Sequence, residues 1–184
     1  MAGDFMQVDV SSLRMQPGQS KKYDLTADLK DIFFAGEPLN FDSPVQVSVT
    51  LTNTGKSIQA EGEVKADLHL KCARCLSPFV YHLETKVQGE FRHEKNTAGD
   101  DLNPAEDEEL YFYSGNNLDL TDIVVESILL DLPMKAVCSE DCKGLCPICG
   151  TNLNEGQCEC RENDIDPRLA VLQKLITAST GKED

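Results

Sequence analysis

The chain has 184 residues, of which 40% are hydrophobic and 27% are charged, and its formal net charge is −15 at pH 7. Such a length and composition are typical of a globular protein with one domain or with one domain and a small appendage. No apolar run is long enough to span a membrane, and the N-terminus lacks the basic and apolar regions of a signal peptide. We therefore expect a cytoplasmic protein without a membrane partner. The negative charge disfavours direct nucleic-acid binding, which usually needs a basic patch.

The first forty residues are weakly patterned. Met6, Val8 and Val10 alternate with polar residues and predict a short strand, and residues 23–29 predict a second one. We expect both to be edge strands without functional residues.

Apolar and polar residues alternate from residue 45 to residue 92. This period of two predicts antiparallel strands with one face in the core and the other in water. Turns at 53–55 and 72–78 divide the segment into three strands, two of them about 14 residues or about 45 Å long. We expect a curled antiparallel β-meander or partial barrel, with Gly62 and Gly89 permitting bends or bulges.

The pattern changes after the meander. Residues 94–109 are acidic and aperiodic and predict a mobile loop, and residues 110–113 predict a short strand. Apolar residues at helical spacing predict a helix over 119–132, with Asp119 as its N-cap and Pro133 at its end. A second apolar stripe after Asp166-Pro167 predicts a last helix.

These predictions give an α+β fold: the meander or partial barrel, two helices, and a small C-terminal Cys₄ zinc-ribbon-like module. Residues 1–135 are expected to form a β-rich domain with one helix packed on the sheet. Residues 136–163 are expected to form the zinc-binding module, and residues 164–184 the C-terminal helix and tail.

The eight cysteines lie in short-spaced pairs, a pattern that in a reducing compartment favours metal ligation over disulfides. Zinc requires four soft ligands in a tetrahedron, and pairs of this kind supply them. We expect two zinc ions. The second site holds the four C-terminal cysteines, which are Cys146, Cys149, Cys158 and Cys160. The first site joins Cys72 and Cys75, at the tip of a hairpin, to Cys138 and Cys142.

Two alternatives to this assignment stay open. Cys142 and Cys146 are close enough in the chain for the two sites to exchange a ligand. Iron–sulfur ligation also uses four cysteines and is the main chemical alternative to zinc.

The sequence predicts no catalytic residues and no small-molecule substrate. Catalytic zinc keeps one position open for water, whereas eight cysteines fill two closed sites. His69, His82 and His93 are expected to be exposed on the strands, with His69 close enough to Cys72 to support that site. We find no Ser/His/Asp pattern, glycine-rich phosphate loop or paired carboxylates on a helix.

With these motifs in their order, the sequence resembles the YceD family, the large ribosomal RNA subunit accumulation proteins. The resemblance covers nearly the whole chain. The matching motifs are Cys72-Ala-Arg-Cys75, Leu132-Pro133 before Cys138, the segment 142–150 with Cys158-Glu-Cys160, and Asp166-Pro-Arg-Leu-Ala170. The resemblance implies a role in 23S rRNA accumulation and large-subunit assembly, without an established catalytic activity. It also implies that the site using Cys72 and Cys75 is the more general one, because some members lack the second cluster.

The charge bears on how such a role is carried out. An acidic protein more naturally binds a basic protein, so we expect the partner to be a basic ribosomal protein or a large-subunit precursor, with indirect contact to rRNA. Direct contact would use a basic rim near the cysteines, formed by Lys71, Arg74, Lys135, Lys143 and Arg161. An alternative function from another class is a thiol–disulfide or metal-handling protein that uses Cys72 and Cys75.

Overall fold

The computed structural model describes residues 6–34, 36–94 and 110–160. Most of the predicted acidic loop, the predicted C-terminal helix and Arg161 lie outside these ranges. The described strands are β1 (Gln7–Asp9), β2 (Ser20–Ala27), β3 (Phe33–Phe34), β4 (Glu37–Pro38), β5 (Asn40–Phe41), β6 (Val45–Asn53), β7 (Ile58–Lys71), β8 (Pro78–His93), β9 (Leu110–Tyr113) and β10 (Asn117–Asp119). The described helices are α1 (Ser11–Arg14) and α2 (Thr121–Asp131), and neither is long and apolar enough to cross a membrane.

The main sheet has the strand order β2-β6-β7-β8-β9, with β5 pairing on β7. The predicted antiparallel meander is confirmed in β6, β7 and β8, and β7 and β8 are 14 and 16 residues long. β9, however, pairs with β8 in parallel, so the sheet is mixed rather than antiparallel. A parallel pair needs a crossover of a dozen or more residues, and the chain between the two strands is long enough. The described sheet is open and does not close into a barrel.

Alternation along the meander sorts its side chains between the core and solvent. Val45, Val47, Val49 and Leu51 of β6 are at most 2% exposed, whereas the residues between them face outward. The expectation of bulges at Gly62 and Gly89 is wrong, because the strand registers pass both positions without an extra residue. Both positions exclude a side chain instead. A Cβ at Gly62 would overlap the Ser48 carbonyl oxygen, and one at Gly89 would overlap the side chain of Ile123.

The predicted first helix is confirmed as α2, which packs on β8 through Ile123 and other buried residues. The N-cap is Leu120 rather than Asp119. Asp119 is held in β10 by pairing with β1, and its Oδ1 instead accepts a hydrogen bond from the Thr121 N–H at 2.9 Å. Leu132 has an extended ψ of 130°, as expected for a residue before proline.

Two features of the N-terminal region and of β8 differ from the sequence predictions. The short helix α1 was not predicted; its N-cap is Val10, and the preceding Asp9 accepts a hydrogen bond from the Ser11 N–H at 2.7 Å. His93 is buried at 6% exposure, so its predicted exposure is wrong. It points to the same face of β8 as Phe91, and the parallel strand β9 places the Tyr113 ring 5.2 Å away.

Candidate metal centres

The turn between β7 and β8 presents Cys72 and Cys75 at the tip of the long hairpin. The Cys72 N–H donates to the Ser77 carbonyl and the Leu76 N–H to the Cys72 carbonyl, both at 2.9 Å. The Arg74 N–H points at Cys72 Sγ from 3.4 Å. Leu76 takes a positive φ of 60°, which ends the turn. The local backbone therefore directs both sulfur atoms to one side of the tip.

The segment that follows α2 docks against this tip through backbone groups. The Ala73 N–H donates to the Ala136 carbonyl at 2.7 Å, and the Leu145 N–H donates to the Arg74 carbonyl at 3.1 Å. The Arg74 guanidinium donates to the carbonyls of Glu140 and Cys142 at 2.9 and 3.0 Å. These hydrogen bonds fix the second pair of cysteines over the first.

We call the resulting group of Cys72, Cys75, Cys138 and Cys142 the clamp cluster. Its four sulfur atoms lie within 4.8 Å of one another, and the Cys72–Cys142 and Cys75–Cys138 sulfur distances are both 3.7 Å. Four thiolates around zinc at about 2.3 Å would lie about 3.8 Å apart, whereas a disulfide requires about 2.05 Å. Three of the sulfurs belong to buried residues and only Cys138 is exposed. The site has the size and the donor set of a tetrahedral metal centre.

We call the group of Cys146, Cys149, Cys158 and Cys160 the local cluster. Its four sulfur atoms also lie within 4.8 Å of one another, but Cys149 is exposed and the last two cysteines are half-buried. The Gly150 N–H donates to the Cys146 carbonyl at 2.9 Å and the Cys146 N–H to the Thr151 carbonyl at 2.8 Å. The first turn of this cluster is therefore shaped by residues within it.

Hydrogen bonds and neighbouring sulfur atoms lower the pKa of some thiols in the clamp cluster and raise the pKa of another. Burial raises the pKa of Cys72, but N–H donors of Cys138, Cys75 and Arg74 outweigh it and lower the pKa to about 6. Burial likewise opposes a lowered pKa at Cys142, which accepts from the Asn154 side chain and the Gly144 N–H. The neighbouring Cys142 and burial raise the pKa of Cys138 to about 12. Adjacent thiolates repel one another, and a bound cation would remove that repulsion.

The local cluster shows the same division. The Thr151 hydroxyl, 3.2 Å from Cys149 Sγ, and the Thr151 N–H lower the pKa of Cys149 to about 6. The adjacent Cys149 sulfur, together with burial, raises the pKa of Cys160 to about 12. The Cys146 side chain raises the pKa of Cys158. Each cluster thus contains both a thiolate-favouring and a proton-retaining sulfur.

The predicted basic rim is only partly available. Lys71, Lys135 and Lys143 are exposed, whereas the Arg74 guanidinium is engaged by the two carbonyl oxygens described above. His69, considered as a support for Cys72, instead pairs with Asp42 at 2.7 Å.

Two functional contacts were not predicted. Arg74 was predicted to belong to the basic rim, whereas its side chain holds the segment of Glu140 and Cys142 against the hairpin tip. Asn154 Nδ2 lies 3.3 Å from Cys142 Sγ, and the sequence contains no motif that identifies it. Only its position between Cys149 and Cys158 marks it as a residue of the cysteine segment.

Comparison with known proteins supports the resemblance seen in the motifs. The chain matches the family model described as large ribosomal RNA subunit accumulation protein YceD over residues 60–176. It is 30% identical over 174 residues to the YlbN protein of Bacillus subtilis, covering 93% of this chain and 96% of that protein. It is 27% identical over 172 residues to a protein of Mycobacterium tuberculosis, covering 93% of this chain and 81% of that protein.

A plant relative carries the family's functional name. The chloroplastic large ribosomal RNA subunit accumulation protein YCED homolog 1 of Zea mays is 27% identical over 182 residues, covering 83% of this chain and 62% of the plant protein. No solved structure matches the chain. The matched region contains both cysteine clusters, and the chain belongs to the YceD family of large ribosomal RNA subunit accumulation proteins.

Proposed function

We propose that this protein is a non-enzymatic, zinc-binding factor that supports 23S rRNA accumulation and assembly of the large ribosomal subunit. The observation that carries the proposal is the family match over residues 60–176, because that family is named for accumulation of the large-subunit rRNA. The proposed place of action is the cytoplasm, where bacterial ribosomes are assembled.

The two cysteine clusters support zinc as a structural ion. Both offer four sulfur donors and no oxygen or nitrogen donor, a set that favours zinc or iron–sulfur ligation over magnesium or calcium. Four protein ligands would fill the tetrahedral shell and leave no position for a reactive water. Elemental analysis of the purified chain should give two zinc ions per chain. Iron and sulfide together with a brown colour would show that the cysteines bind an iron–sulfur cluster instead of zinc.

The charge of the chain supports a protein partner. With a net charge of −15, the protein would repel the rRNA phosphates over most of its surface. The outer face of the meander carries exposed acidic residues such as Glu61 and Glu63. We propose that the acidic body binds a basic ribosomal protein or a basic assembly factor and so protects the rRNA indirectly.

Direct rRNA contact through the metal end is the second version of this function. This version is weakened because Arg74 is not available for RNA contact. The Arg74 guanidinium already donates to two carbonyl oxygens. Lys71, Lys135 and Lys143 remain exposed at this end.

A thiol–disulfide role for Cys72 and Cys75 is less well supported. Thiol exchange requires access to an attacking sulfur, and these residues are 0% and 5% exposed. Native thiol titration of the zinc-loaded protein should therefore find both thiols masked.

Sedimentation of the tagged full chain from a cell lysate tests the function. We expect co-migration with large-subunit precursors on a sucrose gradient, and its loss after ribonuclease treatment. Recovery only at the top of the gradient, at low as well as moderate salt, would contradict the proposal.

Charge reversal separates the two versions. The variant Lys71→Glu/Lys143→Glu changes the metal end, and Lys56→Glu is the matched control at the opposite end of the long hairpin, where it is also exposed. Protein-mediated binding predicts that both variants still co-sediment. Loss of binding in the first variant alone would favour direct rRNA contact.

A further inference from the structure

The loop of the local cluster reaches back to the clamp cluster. This loop, residues 150–157, runs between Cys149 and Cys158, and Asn152 in it forms a β-bridge with Leu145. The Leu153 N–H donates to the Gly144 carbonyl at 2.9 Å. The loop is therefore paired with the short stretch of chain that links the two clusters.

Asn154 occupies the point where this loop meets the clamp cluster. Its Nδ2 donates to Cys142 Sγ at 3.3 Å, and its Oδ1 accepts from the Lys143 N–H at 2.8 Å. One side chain thus holds both a candidate ligand and the peptide that follows it. Nδ2 also donates to Asn152 Oδ1 at 2.9 Å, and the same oxygen accepts from the Asn154 N–H at 3.1 Å. Asn154 is fixed within its own loop as well as against Cys142.

A hydrogen bond to sulfur favours the thiolate over the thiol, because the donor interacts more strongly with the charged form. Groups of this kind behind a metal ligand fix its orientation, and their loss commonly costs 10- to 100-fold in metal affinity. The N–H that Asn154 offers to Cys142 has this position. This N–H comes from the loop of the local cluster, however, and not from the hairpin tip or from α2.

We propose that Asn154 is a positioning residue that couples the two clusters: metal in the local cluster orders the 150–157 loop, and the ordered Asn154 strengthens metal binding by the clamp cluster. This inference rests on the proposed metal binding. The local metal would close the loop at both ends through Cys149 and Cys158, and the loop would then present the amide to Cys142. Thermodynamic reciprocity requires that metal in the clamp cluster strengthens the local cluster by the same factor.

Cobalt(II) titration of the full chain, with zinc competition against a chelator, tests the coupling. Asn154→Ala removes both side-chain contacts, and Asn154→Asp keeps the acceptor for Lys143 but loses the N–H donor. Gln157→Ala is the matched control, exposed in the same loop. We expect a 10- to 100-fold weaker clamp cluster in both Asn154 variants and no change in the control. The thiolate-to-cobalt charge-transfer band should move to longer wavelength in both, a spectroscopic change that general loosening of the fold would not produce.

A double-mutant cycle tests whether the coupling passes through Asn154. Cys158→Ser/Cys160→Ser removes the local cluster and should weaken the clamp cluster when Asn154 is present. The same change should have little further effect in the Asn154→Ala background. An equal further loss in that background would overturn the coupling, as would Asn154 variants that bind like Gln157→Ala. Failure of the wild-type chain to bind any metal would instead overturn the proposed zinc function and the coupling with it.

Discussion

Each cluster offers four cysteine sulfurs, but the two clusters differ in the segments of the chain that they bring together. The clamp cluster joins the tip of the β7–β8 hairpin to the chain after α2, and its Cys75 and Cys138 sulfurs meet across 63 residues. The local cluster draws all its ligands from residues 146–160 and is more exposed. The clamp cluster therefore belongs to the tertiary fold, whereas the local cluster mainly shapes its own loop. Equal ligand sets do not imply equal structural roles.

The largest expected difference comes from removing a cysteine pair from each cluster in the presence of zinc. Cys72→Ser/Cys75→Ser should lower the free energy of unfolding by about 4 kcal/mol, the loop-closure contribution for a loop of this length. Cys158→Ser/Cys160→Ser should cost less, about 2.5 kcal/mol, and should affect the sheet only through weaker metal binding by the clamp cluster. Urea denaturation followed by far-ultraviolet circular dichroism reports on the sheet. Equal destabilisation of the sheet by both variants would contradict the conclusion that the clamp cluster supports the tertiary fold more than the local cluster does.

A matched pair of glycines tests the docking around the clamp cluster. Gly144 and Gly150 both have positive φ, of 76° and 75°. A Cβ at Gly144 would lie 3.2 Å from the Arg74 carbonyl oxygen, whereas one at Gly150 would meet nothing within 4 Å. We expect Gly144→Ala to cost about 2 kcal/mol and Gly150→Ala about 1 kcal/mol, the second from backbone strain alone. Thermal unfolding of the zinc-loaded variants measures both losses. Equal losses would mean that the contact of the new Cβ at position 144 with the Arg74 carbonyl oxygen costs no stability.

Arg74 should stabilise the clamp cluster through its two hydrogen bonds to carbonyl oxygens. Arg74→Met keeps much of the apolar stem but removes the donors, and we expect a loss of about 1.5 kcal/mol in the free energy of unfolding. Lys135→Met is the control, since Lys135 is exposed close to the same segment in sequence. The same urea titration compares the two. A control as destabilised as Arg74→Met would assign the effect to charge rather than to these bonds.

The two ions should leave at different rates. Exposure of Cys149 and partial exposure of Cys158 and Cys160 give a chelator access to the local cluster. We expect its metal to leave about tenfold faster than the metal of the clamp cluster, a difference of about 1.4 kcal/mol in activation free energy. Stopped-flow release into a chromogenic chelator should show two phases, assigned by the two cysteine-pair variants. A single phase for both ions would contradict the difference in accessibility.

The smallest expected effect concerns the residue that follows each C-x-x-C turn. Leu76 and Gly150 occupy this position and both take a positive φ, which is strained for leucine but not for glycine. Leu76 is 63% exposed, so its removal sacrifices little packing. Glycine would remove this backbone strain but would lose more conformational entropy on folding. Leu76→Gly should therefore raise the free energy of unfolding by roughly 0.5 kcal/mol. A loss of stability in thermal unfolding would show that the leucine side chain stabilises the tip.

The long hairpin and α2 were predictable because their sequence patterns are local. Alternation from Val45 to Phe91 gives the strands of the meander, and the change to helical spacing gives α2 before Pro133. The direction of β9 was not predictable in this way. The sequence pattern of a four-residue strand does not indicate whether the strand pairs in parallel or antiparallel. Only the parallel pairing of β9 with β8 makes the sheet mixed.

The roles of individual polar side chains were also decided by the tertiary structure. Burial of His93 follows from its place beside Phe91 and Tyr113. Arg74 and Asn154 are ordinary polar residues in the sequence, and each acquires its role only when another segment supplies its hydrogen-bonding partner.

The sequence by itself determined the periodic elements, the pairs of cysteines and the motifs of the YceD family, because each of these is written in short-range spacing. The tertiary structure alone decided that the sulfurs of Cys75 and Cys138 lie 3.7 Å apart and that Asn154, in the loop of the local cluster, contacts Cys142 of the clamp cluster. Spacing fixes which residues can act together locally, whereas contacts between distant segments depend on how the sheet and α2 pack.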